Sequence, residues 1–415
     1  MNKYLILMIL GLSIQGYTAF GQLTIETCQE KAKNNYPQIK QYGLIEQTEA
    51  YNLSNANKGY LPQVAINAKA TYQSDVTELN GTKVVNNDQY QAYAELNQTV
   101  WDGGVIRSQK GNIKASGEME KQSLEVELYT IKDRVNQLFF GILAVNELIT
   151  QNDLLQKELQ TNYDKVQAYI QNGVANQSDA DIIKVEQLKT NQRKADLLAN
   201  QKSYKEMLSA MIGDAIGMED SLVKPDYITN HNNETLNNRP ELNLFEAQSD
   251  FYTSQESIIK SGNRPKVGLF AQGAYGNPGL NMFEKGFTPY YIVGARLTWN
   301  LGGFYTQKNN LSKISINKQS VDVQRETFLY NTNLKISQQA NELEKIKEQI
   351  RNDDEIIELR TRIKETAEVK VYNGTLTVTD LIREINAENT TIAEKVLHEI
   401  DLLLALYNLK NTTNN

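Results

Sequence analysis

The sequence predicts a mainly α-helical fold that is internally duplicated, with long coiled-coil hairpins joined to four β-strands per chain. Two observations predict it. A set of short motifs recurs in the same order about 200 residues later, and the apolar residues follow a strand period in some segments and a helix period in others. The length of 415 residues is sufficient for two copies of such a plan.

The duplication consists of four motif pairs at a nearly constant offset, which is too long for a solenoid repeat. The pairs are Tyr36-Pro37-Gln38-Ile39 with Arg239-Pro240-Glu241-Leu242, Pro62-Gln63-Val64 with Pro265-Lys266-Val267, Gly103-Gly104 with Gly302-Gly303, and Asn172-Gly173 before Asp179 with Asn373-Gly374 before Asp380. We therefore expect a first repeat at 22–215, a connecting segment at 216–238, a second repeat at 239–411 and a tail at 412–415.

The N-terminus predicts a signal peptide at residues 1–21. Lys3 precedes the apolar run Tyr4–Ile14, and Ala19-Phe20-Gly21 supplies small residues before a cut ahead of Gln22. A retained membrane anchor is the alternative, but the run is short for a span. The only cysteine, Cys28, cannot form an internal disulfide, and we interpret it as a packing residue.

Four segments alternate between apolar and polar residues and predict strands at about 62–73, 90–101, 266–275 and 290–300. Each is about 10 residues long, the length of a membrane-spanning strand. Tyrosine and tryptophan cluster near the strand ends, where the interfaces of a bilayer would lie. Alternation alone is equally consistent with a soluble sheet that has one solvent-exposed face.

The helix periods decide between these alternatives. Within the predicted long helices 104–171 and 304–371, apolar residues recur at 3–4 spacing from Leu124 to Ile149, which is typical of a coiled coil. The same spacing runs from Leu329 to Ile357, with polar residues at Thr332, Gln339 and Asp353. A helix of roughly 68 residues is on the order of 100 Å long, far beyond a small globular domain. Shorter return helices are expected at 178–215 and 378–411, and a helix at 24–58 precedes the first strands.

Each strand pair passes into its long helix through a tryptophan and two glycines. The joint residues are Trp101, Gly103 and Gly104 in the first half, and Trp299, Gly302 and Gly303 in the second. Glycine permits the backbone angles that such a change of direction requires. Asp102 is placed to cap the first helix, whereas its counterpart is Leu301. Four strands cannot close a useful barrel, but three copies supply twelve, so we expect a homotrimer.

This ordered set of features resembles the outer-membrane efflux protein (TolC-like) family over nearly the whole mature chain. The resemblance implies a trimer with a 12-stranded membrane β-barrel in the cell outer membrane and a periplasmic α-helical tunnel. It implies a passive exit duct, of a tripartite efflux or type I secretion system, for small molecules or proteins. It also implies two partners, a periplasmic adaptor (membrane fusion) protein and an inner-membrane transporter.

The resemblance further implies that the two turns between helices form the periplasmic tip and dock the adaptor. The docking residues would be Asn172, Gly173, Val174, Asn373, Gly374, Thr375 and Leu376, and the pore entrance would be lined by Asp179, Asp380 and Arg383. This chain departs from the family pattern at Arg383, where a second aspartate is expected, and at Leu376, where an arginine is expected. Arg383 could pair with Asp380 or with Asp179 of a neighbouring hairpin. Asp179 and Asp380 could also serve only as helix caps.

The sequence predicts no enzyme, and hence no catalytic, cofactor or metal site. It contains no nucleophile-elbow or phosphate-loop motif, and its two histidines, His231 and His398, lack acidic or cysteine companions at ligand spacing. A formal net charge of −7 without a basic block disfavours nucleic acid as a partner. The alternatives to a duct are a soluble periplasmic coiled-coil adaptor and a structural filament.

Overall fold

A computed structural model describes residues 23–226 and 237–414. The predicted signal peptide, its cut site and His231 lie outside these residues. Two compact units are present. Within the described residues, the sheet unit comprises 36–133, 237–344 and 406–414, and the helical unit comprises 23–35, 134–226 and 345–405.

The element order confirms the predicted fold class, mainly α-helical with four long strands. The helices are α1 Ile25–Asn35, α2 Gln41–Lys58, α3 Val105–Tyr129, α4 Ile131–Gln171, α5 Gln177–Ile212, α6 Pro240–Gly262, α7 Gly303–Tyr372 and α8 Val378–Thr413. The strands are β1 Gln63–Tyr72, β2 Glu78–Leu79, β3 Thr82–Lys83, β4 Asp88–Trp101, β5 Lys266–Asn277 and β6 Thr288–Thr298. In the described parts of the chain, no helix has the length and apolar composition needed to cross a membrane.

Two predicted helices are interrupted, so the prediction that each is continuous is wrong. The segment 24–58 breaks at Pro37–Lys40, a 3-10 turn between α1 and α2, because Pro37 has no N–H and holds Tyr36 in an extended conformation. The segment 104–171 breaks at Thr130, whose hydroxyl and N–H both donate to the carbonyl oxygen of Glu127, at 2.8 and 3.2 Å. A local threonine bond of this kind competes with the helix ladder and tightens the turn. By contrast, α7 runs unbroken for 70 residues.

The four long strands form one antiparallel sheet in the order β1-β4-β5-β6, so the two repeats pair through β4 and β5. The ladder register shifts between Thr99 and Trp101, which marks a bulge at the end of β4. Strands β1 and β6 are the open edges. The small hairpin β2–β3 lies within the connection between β1 and β4.

One face of this sheet is apolar and exposed. Following the register, it carries Val64, Ile66, Ala68 and Ala70 of β1, Tyr90, Ala92, Ala94 and Leu96 of β4, Val267, Leu269, Ala271 and Tyr275 of β5, and Tyr291, Val293, Ala295 and Leu297 of β6. Between the level of Trp101 and the level of Tyr90 along the strands, no charged side chain lies on this face. Ile66 is 83% exposed and Tyr291 is 77% exposed.

The opposite face is mixed, and it contains the charged residues Lys69, Glu95, Lys266 and Arg296. Arg296 Nη2 lies 3.4 Å from Glu95 Oε1, and the Arg296 guanidinium lies over the ring of Phe270 at 4.8 Å. Alternation along the strands, broken by the bulge at the end of β4, therefore gives the sheet one apolar and one mixed surface, as the sequence pattern predicts.

The helical unit has its own apolar core. Phe139 and Phe140 of α4 are nearly inaccessible to solvent, and their rings meet edge to face at 5.7 Å. Cys28 of α1 is completely buried, which confirms its interpretation as a packing residue, and burial raises the pKa of its thiol to about 11.

Candidate functional site

At the first strand-to-helix joint, both glycines have left-handed backbone angles, with φ of 72° at Gly103 and 87° at Gly104. Asp102 is 6% exposed, and its carboxylate accepts hydrogen bonds from the backbone N–H groups of Gly104 and Ile106, at 2.9 and 2.6 Å. The predicted capping role of Asp102 is confirmed. A Cβ atom on Gly103 would lie 2.8 Å from the Cβ of Arg264, so both angle and space require glycine there.

The second joint differs from the first, although its sequence is similar. Gly302 and Gly303 are not among the glycines with positive φ, so the prediction that both joints use glycine for the same backbone angles is wrong. Gly303 begins α7, and a Cβ atom there would lie 2.0 Å from Asn263 Oδ1. Trp299 Nε1 donates to the Asn263 carbonyl at 3.0 Å. The side chain of Asn263 would have to move to admit a Cβ atom at 303, so the second joint lacks the backbone requirement for glycine that the first joint has.

The two turns between helices have the same geometry in both repeats. Gly173 and Gly374 take φ of 72° and 68°. The Gly173 N–H bonds to the Ile170 carbonyl at 3.0 Å and the Val174 N–H bonds to the Tyr169 carbonyl at 2.9 Å. The second turn contains the same two hydrogen bonds, in which the backbone N–H groups of Gly374 and Thr375 are the donors. These are Schellman motifs, which end α4 and α7 and reverse the chain.

Asp179 and Asp380 take part in the hydrogen bonds that cap the starts of α5 and α8. Asn176 Oδ1 accepts from the Asp179 N–H at 3.2 Å, and Asp179 Oδ2 accepts from the Asn176 N–H at 3.1 Å, which is a capping box at the start of α5. At the start of α8, Thr377 Oγ1 accepts from the Asp380 N–H at 3.1 Å and donates to Asp380 Oδ2 at 2.7 Å. The capping role is confirmed for Asp179, whereas at the start of α8 Thr377 is the capping residue and Asp380 accepts from its hydroxyl. A role at a pore entrance stays a prediction for both aspartates.

The two hairpin tips share one apolar cluster inside the helical unit. It consists of Leu155, Leu159, Val166, Ala180, Ile183, Ala367, Val378, Leu381, Ile382 and Ile385. Leu376 packs against this cluster, whereas Val174 is 74% exposed and Thr375 is also exposed. Among the predicted docking residues, Val174 and Thr375 thus present side chains to solvent and Leu376 anchors its turn.

Arg383 pairs within its own chain. Its Nη1 lies 3.2 Å from Asp380 Oδ1 and its Nε lies 3.4 Å from Glu384 Oε1. Glu384 also lies 3.5 Å from Arg360 Nη1 of α7. The sequence offered Asp380 or Asp179 of a neighbouring hairpin as partners, and the structure places Asp380 beside Arg383.

Comparison with known proteins gives a fold-level result. Neither a protein-family model nor a curated protein sequence matches the chain. Among solved structures, the outer-membrane channel OprN matches with a TM-score of 0.68 at 12% identity, over 94% of this chain and 89% of that one. The outer-membrane protein VceC of Vibrio cholerae matches with a TM-score of 0.65 at 12% identity, over 93% and 94%. The open state of the MtrE outer-membrane channel of Neisseria gonorrhoeae matches with 0.63 at 12%, over 93% and 88%.

The chain has the TolC-like fold. The match covers almost the whole chain and includes both repeats, so the duplicated plan that the motifs predict is confirmed at the level of fold.

Below the tips of this TolC-like fold lies a largely buried ionic cluster that the sequence did not predict, in which Glu158 is the most exposed member. Lys364 Nζ of α7 lies 2.9 Å from Glu158 of α4 and 2.5 Å from Glu388 of α8, and Thr361 Oγ1 donates to Glu388 at 2.6 Å. Burial alone would lower the pKa of Lys364, but hydrogen bonds with Glu388 and Glu158 outweigh it and the pKa is raised. No sequence spacing relates residues so far apart, so only the fold reveals the cluster.

His398 of α8 also has a partner that its sequence neighbours do not provide. Its Nδ1 lies 2.6 Å from Asp353 Oδ2 of α7, an acidic partner 45 residues away in the sequence. Among the residues that the structure describes, no three or more histidine, cysteine, aspartate or glutamate side chains form a group able to hold a metal ion.

A second buried cation, Lys205 of α5, orders the segment that follows this helix. Its Nζ donates to the carbonyl oxygens of Gly217, Met218 and Asp220, at 3.0, 2.7 and 2.8 Å. Burial lowers the pKa of Lys205. The segment then pairs with the start of the described chain, where the Val223 N–H donates to the Leu23 carbonyl at 3.1 Å.

Proposed function

We propose that this chain is the outer-membrane channel of a tripartite efflux or type I secretion system. Three copies form a passive duct, which extends into the periplasm and releases small molecules or proteins. The proposal rests on one observation above all, the exposed and uncharged apolar face of the four-stranded sheet. The proteins of matching fold that are named as outer-membrane channels support it.

An apolar surface of this extent requires a cover. Val64, Ile66, Tyr291, Val293 and Leu297 are each more than 60% exposed, and they lie on one continuous face. Soluble monomers rarely expose contiguous apolar patches larger than a few hundred Å². Bilayer lipid covers such a face without disturbing the backbone, because every strand retains its neighbours once the edges are paired.

The edges and the mixed face account for the trimer and the pore. Strands β1 and β6 are unpaired edges, and four strands are too few to close around a channel. Three copies joined edge to edge supply twelve strands. The mixed face with Lys69, Glu95 and Arg296 then lines a water-filled interior, where lining charge and width govern selectivity.

Energy for transport comes from partners in this proposal, since the sequence carries no motif for binding a nucleotide. The hairpin tips dock a periplasmic adaptor, and the adaptor connects the channel to an inner-membrane transporter. Val174 and Thr375 are exposed on two turns of equal geometry, which suits an adaptor that contacts both repeats in the same way.

The native mass of the protein extracted with detergent from the outer-membrane fraction tests this proposal. We expect a trimer in that fraction that forms conducting pores in a planar bilayer. A water-soluble monomer would contradict it and would favour the alternative of a periplasmic coiled-coil adaptor or structural protein. The exposed apolar sheet face argues against that alternative, because a soluble protein has nothing to cover it.

A further inference from the structure

A cleft of about 600 Å³ opens in the sheet unit at the first strand-to-helix joint. The start of α3 and the end of α6 line it, together with Trp101 and Tyr60. Its cationic side chains are Arg107, Lys260 and Arg264, and Ser108 and Ser257 add hydroxyl groups.

The charge of the cleft is positive. Asp102 also lines it, but both of its carboxylate oxygens accept hydrogen bonds from backbone N–H groups of the α3 N-terminus. Glu256 lies 3.2 Å from Lys260 and offsets its charge. Arg264 makes only a long contact of 3.4 Å to the Gly103 carbonyl, and Arg107 forms no ion pair with any residue that the structure describes. Two guanidinium groups therefore supply most of the positive charge.

The position of the cleft points to its ligand. Trp101 pairs with Val267, whose side chain belongs to the apolar face of the sheet, so Trp101 marks the end of that face. In membrane proteins, tryptophan and tyrosine lie at the level of the lipid headgroups. If the apolar face contacts lipid, as the proposed function requires, the cleft lies beside Trp101 and Tyr60 at headgroup depth.

We infer that this cleft binds the phosphate group of an anionic glycerophospholipid, with Arg107 and Arg264 as its principal ligands. Guanidinium groups bind phosphate oxygens through paired N–H donors, and the serine hydroxyls can donate to the remaining oxygens. The acyl chains then extend along the apolar face past Trp101. The inference rests on the proposed membrane location, and it adds a lipid site at the joint between sheet and helices.

Native mass spectrometry of the full-length protein in detergent, titrated with phosphatidylglycerol, tests the inference. The test variant is Arg107→Gln with Arg264→Gln. The matched control is Arg325→Gln with Lys335→Gln, which removes the same charge from exposed positions of α7 outside the cleft. Each cation removed should weaken lipid binding about five-fold, and the pair about 25-fold, if each contributes as basic residues do near an anionic membrane surface.

Arg107→Gln alone should show about a five-fold loss, and it leaves the contact between Arg264 and Gly103 intact. Arg107→Lys with Arg264→Lys should bind more tightly than the glutamine pair but more weakly than wild type, because the charge remains and the paired N–H donors are lost. Equal phosphatidylglycerol affinities of the test and control variants would overturn the inference. If inorganic phosphate binds as tightly as phosphatidylglycerol, the cleft is a site for free phosphate and the lipid assignment is overturned.

The oligomeric mass and bilayer conductance of the same preparations separate this inference from the proposed function. A wild-type protein that is neither trimeric nor conducting contradicts the channel itself. A conducting trimer whose lipid affinity is insensitive to the Arg107 and Arg264 substitutions contradicts only the lipid site.

Discussion

At the scale of single residues, similar motifs meet different requirements in the two repeats. Gly103 takes a left-handed conformation and faces Arg264 closely, whereas Gly303 has no positive φ and faces only the side chain of Asn263. The sequence shows the glycine pair in both places. It does not show which connection packs against each pair, so it predicted one role for both.

Replacing Gly103 with alanine should destabilise the protein by roughly 1–3 kcal/mol, the usual cost of a residue held in a disfavoured backbone region. Gly111→Ala is the control, because that glycine lies inside α3 and a Cβ atom there would contact nothing within 4 Å. Alanine at 111 should be neutral or stabilise the helix by up to about 1 kcal/mol. Thermal unfolding of the detergent-extracted protein measures the stability of both variants. Equal unfolding midpoints of Gly103→Ala and Gly111→Ala would contradict the strain assigned to Gly103.

Replacing Lys364 with methionine should also destabilise the protein, since it leaves the carboxylate of Glu388, a residue only 5% exposed, without its cation. Breaking one partner of a buried pair costs roughly 3–5 kcal/mol. The double variant Lys364→Met with Glu388→Leu should recover much of this loss, because the one carboxylate then left without Lys364 is that of Glu158, which is 29% exposed and stays in contact with water. A double variant no more stable than Lys364→Met would show that the packing of these helices, and not the ion pair, dominates.

At the scale of elements, local signals were sufficient for the ends of helices but not for every break. The Asn-Gly turns and the aspartates six residues after each glycine mark the Schellman motifs and helix caps, and Pro37 is a visible interruption. Thr130 could not be predicted as a break, because threonine is common within helices and only its bond to Glu127 reveals the turn. Contacts between residues far apart in the sequence, such as His398 with Asp353, likewise could not be predicted.

The start of α8 allows a test of the predicted pore entrance. Arg383→Ala removes an exposed ion pair with Asp380, so stability should change by less than about 1 kcal/mol. If Arg383 helps to hold the entrance closed, single-channel conductance should rise. Arg362→Ala, which removes an arginine of similar exposure that pairs with Glu358, is the control. Conductance equal to wild type in both variants would leave Asp380 and Arg383 with a capping and surface role only.

At the scale of the whole molecule, strand alternation predicted the two faces of the sheet, and edge pairing now predicts the assembly. In the sheet order, β1 and β6 are separated by two strands, which places them roughly 14 Å apart at the usual strand spacing. A disulfide requires Cα atoms within about 7 Å, so cysteines on these two edges cannot bridge within one chain. Bridges between neighbouring copies remain geometrically allowed if β1 of one copy pairs with β6 of the next.

Cysteine at Val293 of β6 can therefore be combined in turn with cysteine at Val64, Ile66 or Ala68 of β1, which samples three registers on the same face. We expect one of these double variants to form covalent dimers and trimers on oxidation, seen by denaturing gel electrophoresis without reductant. The native Cys28 is completely buried and should not interfere. Single-cysteine variants are the controls and should give no covalent trimer. Monomers alone in all three registers would contradict edge-to-edge closure, and with it the twelve-stranded barrel on which the duct depends.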